Sequence, residues 1–159
     1  MTTSPIKSPL SAADKEITGN VLQATLVDLV DLSLIAKQAH WNVVGAHFRS
    51  VHLQLDELVA VARQYVDEVA ERANAIGVSP NGKAKTVVES SGLPDYPDNW
   101  QSVESTIAAI VDILDKLIQR LRARIDETDK SDLVTQDLLI ELTQALEKAH
   151  WMWQAQQAR

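Results

Sequence analysis

Glycine and proline divide this chain more firmly than any other feature. The five Gly and five Pro gather mainly at the start and between residues 77 and 97, which leaves long stretches free to run as helix. Within those stretches apolar residues recur every three or four positions, the period of a helix that buries one face. A first helix is expected from near Asp14 to about Val43, with Ile17, Val21, Leu22, Leu26, Leu29, Leu32 and Ile35 or Ala36 inward and Gly45 as its stop. A second spans about 47–76 and ends at Gly77, with the stripe Phe48, Val51, Leu55, Leu58, Ala62, Tyr65, Val69, Ala73, Ile76. A third runs from Trp100 to about Asp126, turning Val103, Ile107, Ile110, Val111, Leu114, Leu117, Ile118, Leu121 and Ile125 inward. A fourth begins at Ser131 or Asp132 and continues to the end on Leu133, Leu138, Leu142, Leu146 and Trp153. Residues 78–99, with a short helix at Lys85–Ser90, make a connection too long for adjacent antiparallel helices. The expected fold is all-α: a four-helix bundle with a long crossover between helices 2 and 3 that contains a short helix.

At 159 residues the chain forms one domain, residues 14–159, behind a flexible tail over 1–13. It has no cysteine, which removes disulfides and thiolate metal sites. A net charge of −7 and a pI near 5.0 disfavour a general affinity for nucleic acid and suit a container for cations. No apolar run approaches the ~20 residues of a membrane span and no signal-peptide pattern opens the chain, so the cytoplasm is the expected location.

Chemistry concentrates between His40 and Glu71. His52 and Asp56 are four apart, as are Asp67 and Glu71, so each pair shares a helix face. If the chain folds back at Gly45-Ala46, His40 meets His52, and with Asp56 they make a half-site for a metal. Asp56 and Asp67 are eleven residues apart, which places them on one azimuth but roughly 16 Å apart along the axis. One ion cannot bind both, since carboxylate oxygens reach a metal at about 2–2.6 Å. Two antiparallel copies of the helix, crossing near residue 61 or 62, would bring Asp67 and Glu71 of one chain onto His52 and Asp56 of the other. Two identical sites would then lie roughly 22 Å apart across a homodimer. Spacing alone also fits a solvated acidic face and a histidine satisfied within the fold.

The segments KQAHWNVVGAHF, VHLQLDEL and YVDEVAERANAIG resemble the signature of the Dps mini-ferritins, and the resemblance covers the chain from about residue 14 onward. It implies a ferritin-like bundle, a homo-oligomeric shell of twelve subunits built from two-fold dimers, and a ferroxidase at an inter-subunit site. His40, His52, Asp56, Asp67 and Glu71 fall on the family's ligand positions, with iron as the metal. Hydrogen peroxide is the implied preferred oxidant, ahead of dioxygen, with ferric mineral stored inside the shell as protection against oxidative stress. The crossover helix is implied to lie at the dimer interface. Trp41 is expected near the metal site, chiefly as packing, and His47 stands where the family more often has Asn. Asn42 is expected to cap or bridge the turn.

Asp132, Asp137 and Glu141 resemble the acidic stretch that lines the family's three-fold pore, although carboxylates there also suit a helix N-terminus. Glu57 and Glu68 are candidates for nucleating mineral. Some Dps-like proteins bind DNA through lysine-rich tails, but this tail has Lys7, with Lys15 just after it, so DNA binding is not expected to carry over. The alternatives are a nucleoid-associated protein or a metal-dependent amide hydrolase using the same ligands. An intra-bundle di-iron centre finds one Glu-x-x-His, Glu147 to His150, and no second copy; these two residues are expected to be surface groups.

Overall fold

The computed structural model describes residues 4–157. Helix α1 (Ala12–Asn42) is entered through Ser11, whose hydroxyl accepts from the Asp14 amide and donates to the Asp14 carboxylate at 2.6 Å. That cap starts the helix ahead of the expected Asp14. A two-residue strand, β1 (Val43–Val44), and a turn at Gly45 lead into α2 (Phe48–Ala75). The crossover carries α3 (Ala84–Ser90) and a second short strand, β2 (Gln101–Ser102). Then follow α4 (Val103–Thr128), capped by Ser102, and α5 (Leu133–Gln154), capped by Asp132, with a 3-10 turn over Ala155–Gln157.

Helix α1 packs chiefly on α2 and α4 chiefly on α5, and the two pairs meet through α1 with α4 and α2 with α5. Their facing stripes make one core, in which Leu22, Leu29, Leu55, Ile110, Leu114, Leu139 and Trp153 are buried. This is the expected all-α four-helix bundle with a helix-bearing crossover. Helix α2 stops where the sequence says it should. Gly77 takes φ +77, its amide bonds the Asn74 carbonyl, and the Val78 amide bonds the Ala73 carbonyl, the pairing of a Schellman end.

Several expectations are corrected. Ile17, Phe48 and Leu133 are exposed rather than inward, because they lie in the opening turns of their helices, where side chains lean past the end of the core. Tyr65, Val111, Ile125 and Leu138 are half-buried along its margin. The tail expected over 1–13 is cut short by the Ser11 cap, and Leu10 packs against the core. Ile6 lies beside the α2 terminus, its carbonyl 2.9 Å from where a Cβ on Gly77 would sit. The tail's residues 1–3 and the fourth helix's residues 158–159 lie outside the described residues. By length and composition α1 does contain a stretch apolar enough to cross a membrane, contrary to the sequence reading, but 67% of that stretch is buried in the bundle.

Strands β1 and β2 pair in parallel, Val43 with Gln101 and Val44 with Ser102, tying the end of α1 to the start of α4. Two residues are too short to show any periodicity, so this link left no mark in the sequence pattern.

Under the crossover lies a charged cluster. Asp28 on α1, fully buried, accepts from Arg120 Nε at 2.9 Å, Arg124 Nη2 at 2.7 Å and the Gly92 amide at 3.1 Å. Burial lowers the Arg124 pKa, although the neighbouring Asp28 opposes the shift. The Ser91 hydroxyl donates to Asp31, whose pKa burial raises. These contacts seat the crossover on α1 and α4.

Candidate metal centre

His40 sits in the last turn of α1 and His52 early in α2, and the reversal between them is made by Gly45 at φ +115 and His47 at φ 62. The two imidazoles stack with centroids 3.6 Å apart and planes 22° from parallel. Their hydrogen bonds are reciprocal: His40 Nδ1 lies 2.8 Å from the His52 carbonyl, and His52 Nδ1 lies 2.8 Å from the His40 carbonyl. A carbonyl only accepts, so each Nδ1 must carry a proton. In the neutral ring that leaves the Nε2 lone pair free, the form a metal requires. Such imidazole donors suit a transition-metal ion.

Asp56 lies one helical turn beyond His52, its Oδ1 3.3 Å from His40 Nδ1. The same oxygen is 2.5 Å from Lys37 Nζ. The Lys37 hydrogen bond holds the Asp56 carboxyl below the usual carboxylate range; partial desolvation opposes it, and the two imidazoles add to it. Lys37 was missed in the sequence, yet it precedes His40 by one turn and so shares its face.

Asp67 and Glu71 are exposed further along α2, about three to four turns from Asp56. Among the described residues, no group of three or more His, Asp or Glu in this single chain is placed to hold a metal ion. His40, His52 and Asp56 are neighbours but do not by themselves make such a group, and Asp67 and Glu71 stand apart from them. Trp41 is 66% exposed beside His40. Asn42 donates to the Gln38 carbonyl instead of bridging the turn, and the His47 side chain makes no cap hydrogen bond.

The acids around α5 separate into two roles. Asp132 is buried as the N-cap: it accepts from the Val134 and Thr135 amides, from the Thr135 hydroxyl and from Arg72 Nη2 at 2.5 Å. Asp137 and Glu141 are exposed and line a trough of about 450 Å³ together with Glu68, Glu71 and Arg72. Glu68 also accepts from Gln64, and Glu57 is exposed at the rim of an apolar groove beside Met152 and Trp153. Glu147 is ion-paired with Arg122 at 2.6 Å, which takes it from any Glu-x-x-His centre.

Burial alone would raise the Asp132 pKa, but hydrogen bonds from Arg72, Thr135 and the Val134 amide outweigh it and hold the pKa below its ordinary value. A depressed carboxylate stabilises the fold above its unfolded-state pKa and loses that contribution as pH falls through the folded value. Wild-type protein should therefore lose more melting temperature than Asp132→Asn on acidification from about pH 5 to 3. Parallel melting profiles for the two proteins would show that Asp132 contributes nothing pH-dependent.

Comparison with known proteins agrees with this architecture. The ferritin-like domain family matches residues 20–159. The DNA protection during starvation protein of Mycolicibacterium smegmatis is 38% identical over 136 residues, covering 86% of this chain and 74% of that one. The fine tangled pili major subunit of Haemophilus ducreyi is 36% identical over 146 residues, covering 92% of this chain and 77% of that one. The tetragonal structure of Mycobacterium smegmatis Dps superposes with a TM-score of 0.92 at 35% identity, covering 98% of this chain and 94% of that one. Dps from Microbacterium arborescens in its high-iron form gives 0.90 at 31% identity, covering 96% and 99%. A family match over most of the length, relatives above 30% identity and a shared bundle lead to one assignment: the chain belongs to the Dps family of ferritin-like proteins.

Proposed function

We propose that this chain is an iron-storage ferroxidase whose site is completed between two copies. His40, His52 and Asp56 come from one copy, and Asp67 and Glu71 from the other. The observation that carries the reading is the reciprocal imidazole–carbonyl pair, which leaves both Nε2 lone pairs free, with the Asp56 carboxylate 3.3 Å from His40 Nδ1. Imidazole and carboxylate together suit iron in both oxidation states. Fe(II) is the substrate. Two Fe(II) ions give one electron each to hydrogen peroxide, whose O–O bond breaks, and the ferric product hydrolyses to mineral with release of protons. Dioxygen serves as the slower oxidant. The mineral is held in a hollow shell of twelve subunits, in the cytoplasm.

The trough shared by Glu71, Asp137 and Glu141 supports an acidic route for the entering cation. Asp132 supports that route from behind, as the cap that fixes the start of α5. Nucleic acid is not part of the proposal, since the net charge is −7 and the described tail offers Lys7 alone.

The test loads Fe(II) anaerobically, adds peroxide, and follows both absorbance and iron in the large-shell fraction on size exclusion. Native protein should oxidise rapidly and retain iron. His52→Ala with Asp56→Ala should lose about a hundredfold or more in rate, beyond the 10–100-fold usual for residues that only orient ligands. Equal behaviour of an intact variant shell would overturn the assignment.

Lys37 bears on affinity as well. Its ammonium and the entering metal compete for Asp56, so Lys37→Met should bind Co(II), a redox-quiet probe, about two- to fivefold more tightly, the modest gain of freeing a carboxylate from a solvent-accessible ion pair. Weaker binding in calorimetric titration would mean that Lys37 positions Asp56 instead of competing for it.

A further inference from the structure

We propose that Asn81 is a self-modifying site, at which the side-chain amide is converted to a carboxylate with the fold itself assisting the reaction. Asn81 precedes Gly82 and both are exposed at the start of the crossover. In such a pair the following amide nitrogen can attack the Asn carbonyl carbon, because glycine places no side chain against the closing ring. A Cβ built on Gly82 meets nothing nearer than 3.9 Å, so the surroundings are open. The Gly82 N–H makes no hydrogen bond among the described residues.

Two donors converge on the oxygen that would gain charge. Asn81 Oδ1 accepts from the Lys83 amide at 3.3 Å and from the Thr86 hydroxyl at 3.0 Å. Donors aimed at a carbonyl oxygen polarise its carbon and stabilise the tetrahedral oxyanion that follows attack. The Asn81 main chain is held meanwhile by Gln23 on α1, which donates to its carbonyl at 2.8 Å and accepts from its amide at 2.9 Å. The attacked group is thus polarised and its backbone fixed.

The step balances with water alone. Gly82 N forms a bond to Asn81 Cγ, the bond from Cγ to Nδ2 breaks, and ammonia leaves with the proton given up by Gly82. Water then opens the resulting five-membered imide, leaving a carboxylate. All the side-chain hydrogen bonds of Asn81 run through Oδ1 as acceptor, so an aspartate keeps them and the product is accommodated. Each chain gains one negative charge at the crossover.

Full-length protein incubated at neutral pH and physiological temperature, then digested with trypsin, yields a peptide from Ala73 to Lys83 that carries both Asn74 and Asn81. Mass spectrometry should find the replacement of NH₂ by OH at Asn81 well ahead of Asn74. Thr86→Val should slow it about three- to tenfold, the weight of one hydrogen bond in the transition state, and Thr86→Ser should keep the native rate. No conversion at Asn81, or an equal or faster rate in Thr86→Val with circular dichroism unchanged, overturns the proposal. If Thr86→Val fails to fold, a native rate slower than that of urea-unfolded wild type overturns it, and an equal or faster one sustains it.

Discussion

Two inactive variants, co-assembled, should recover about a quarter of native Fe(II) oxidation, though neither works alone. One carries His52→Ala and Asp56→Ala, the other Asp67→Ala and Glu71→Ala. In a two-fold pair of unlike chains, one site receives both intact halves and the other receives both damaged halves. Random pairing makes half of all dimers mixed, and half the sites in each are whole, which gives the quarter. A site contained within one chain would show no recovery at any mixing ratio. The measurement is the initial rate after refolding the two variants together, with mass spectrometry confirming that mixed dimers formed. The geometry motivates it, because helical rise keeps Asp67 roughly 16 Å from Asp56 along one helix and no single chain spans that with one ion.

Removing the Asp28 charge should be the most damaging single change to stability outside the apolar core. Asp28→Asn leaves Arg124 buried, and Arg120 half-buried, without the ion-pair partner that one carboxylate now supplies to both. Breaking such a pair from one side costs about 3–5 kcal/mol, since the remaining ion cannot return to water. For a chain of this length the melting temperature should fall on the order of 10 °C, measured at matched protein concentration because assembly also contributes. Adding Arg124→Met should restore part of the loss, as burial without an ion pair is often tolerated. An unchanged melting temperature in Asp28→Asn would show that the cluster adds no net stability.

The helices were legible because their stripes are long and Gly77 ends α2 at positive φ, whereas α1 stops at Asn42, three residues ahead of the expected Gly45, where Val43 turns extended. Their starts were less so, since Ser11 and Ser102 act through single hydroxyl contacts that a hydrophobic period does not record. Asp28 and Asp31 stand among the leucines of α1, and an acid inside an apolar run is a visible sign of a buried partner. The partners themselves are some 60 to 100 residues away and were not readable. At the candidate metal centre, spacing pointed to His40, His52 and Asp56, which the fold makes neighbours. It missed Lys37, and it placed Asp132 with Asp137 and Glu141 when the fold commits Asp132 to a cap and to Arg72. Spacing records which residues share a face, not which group is already engaged.

The crossed imidazole–carbonyl bonds have a mechanical consequence. Each histidine is both the reader and the read, so sliding α1 along α2 by one residue, ~1.5 Å, would stretch both bonds past their working length together. The pair therefore acts as a registration mark between the two longest helices. An error in their alignment cannot be absorbed here and must appear elsewhere, in the β1–β2 link or at the open end of the turn.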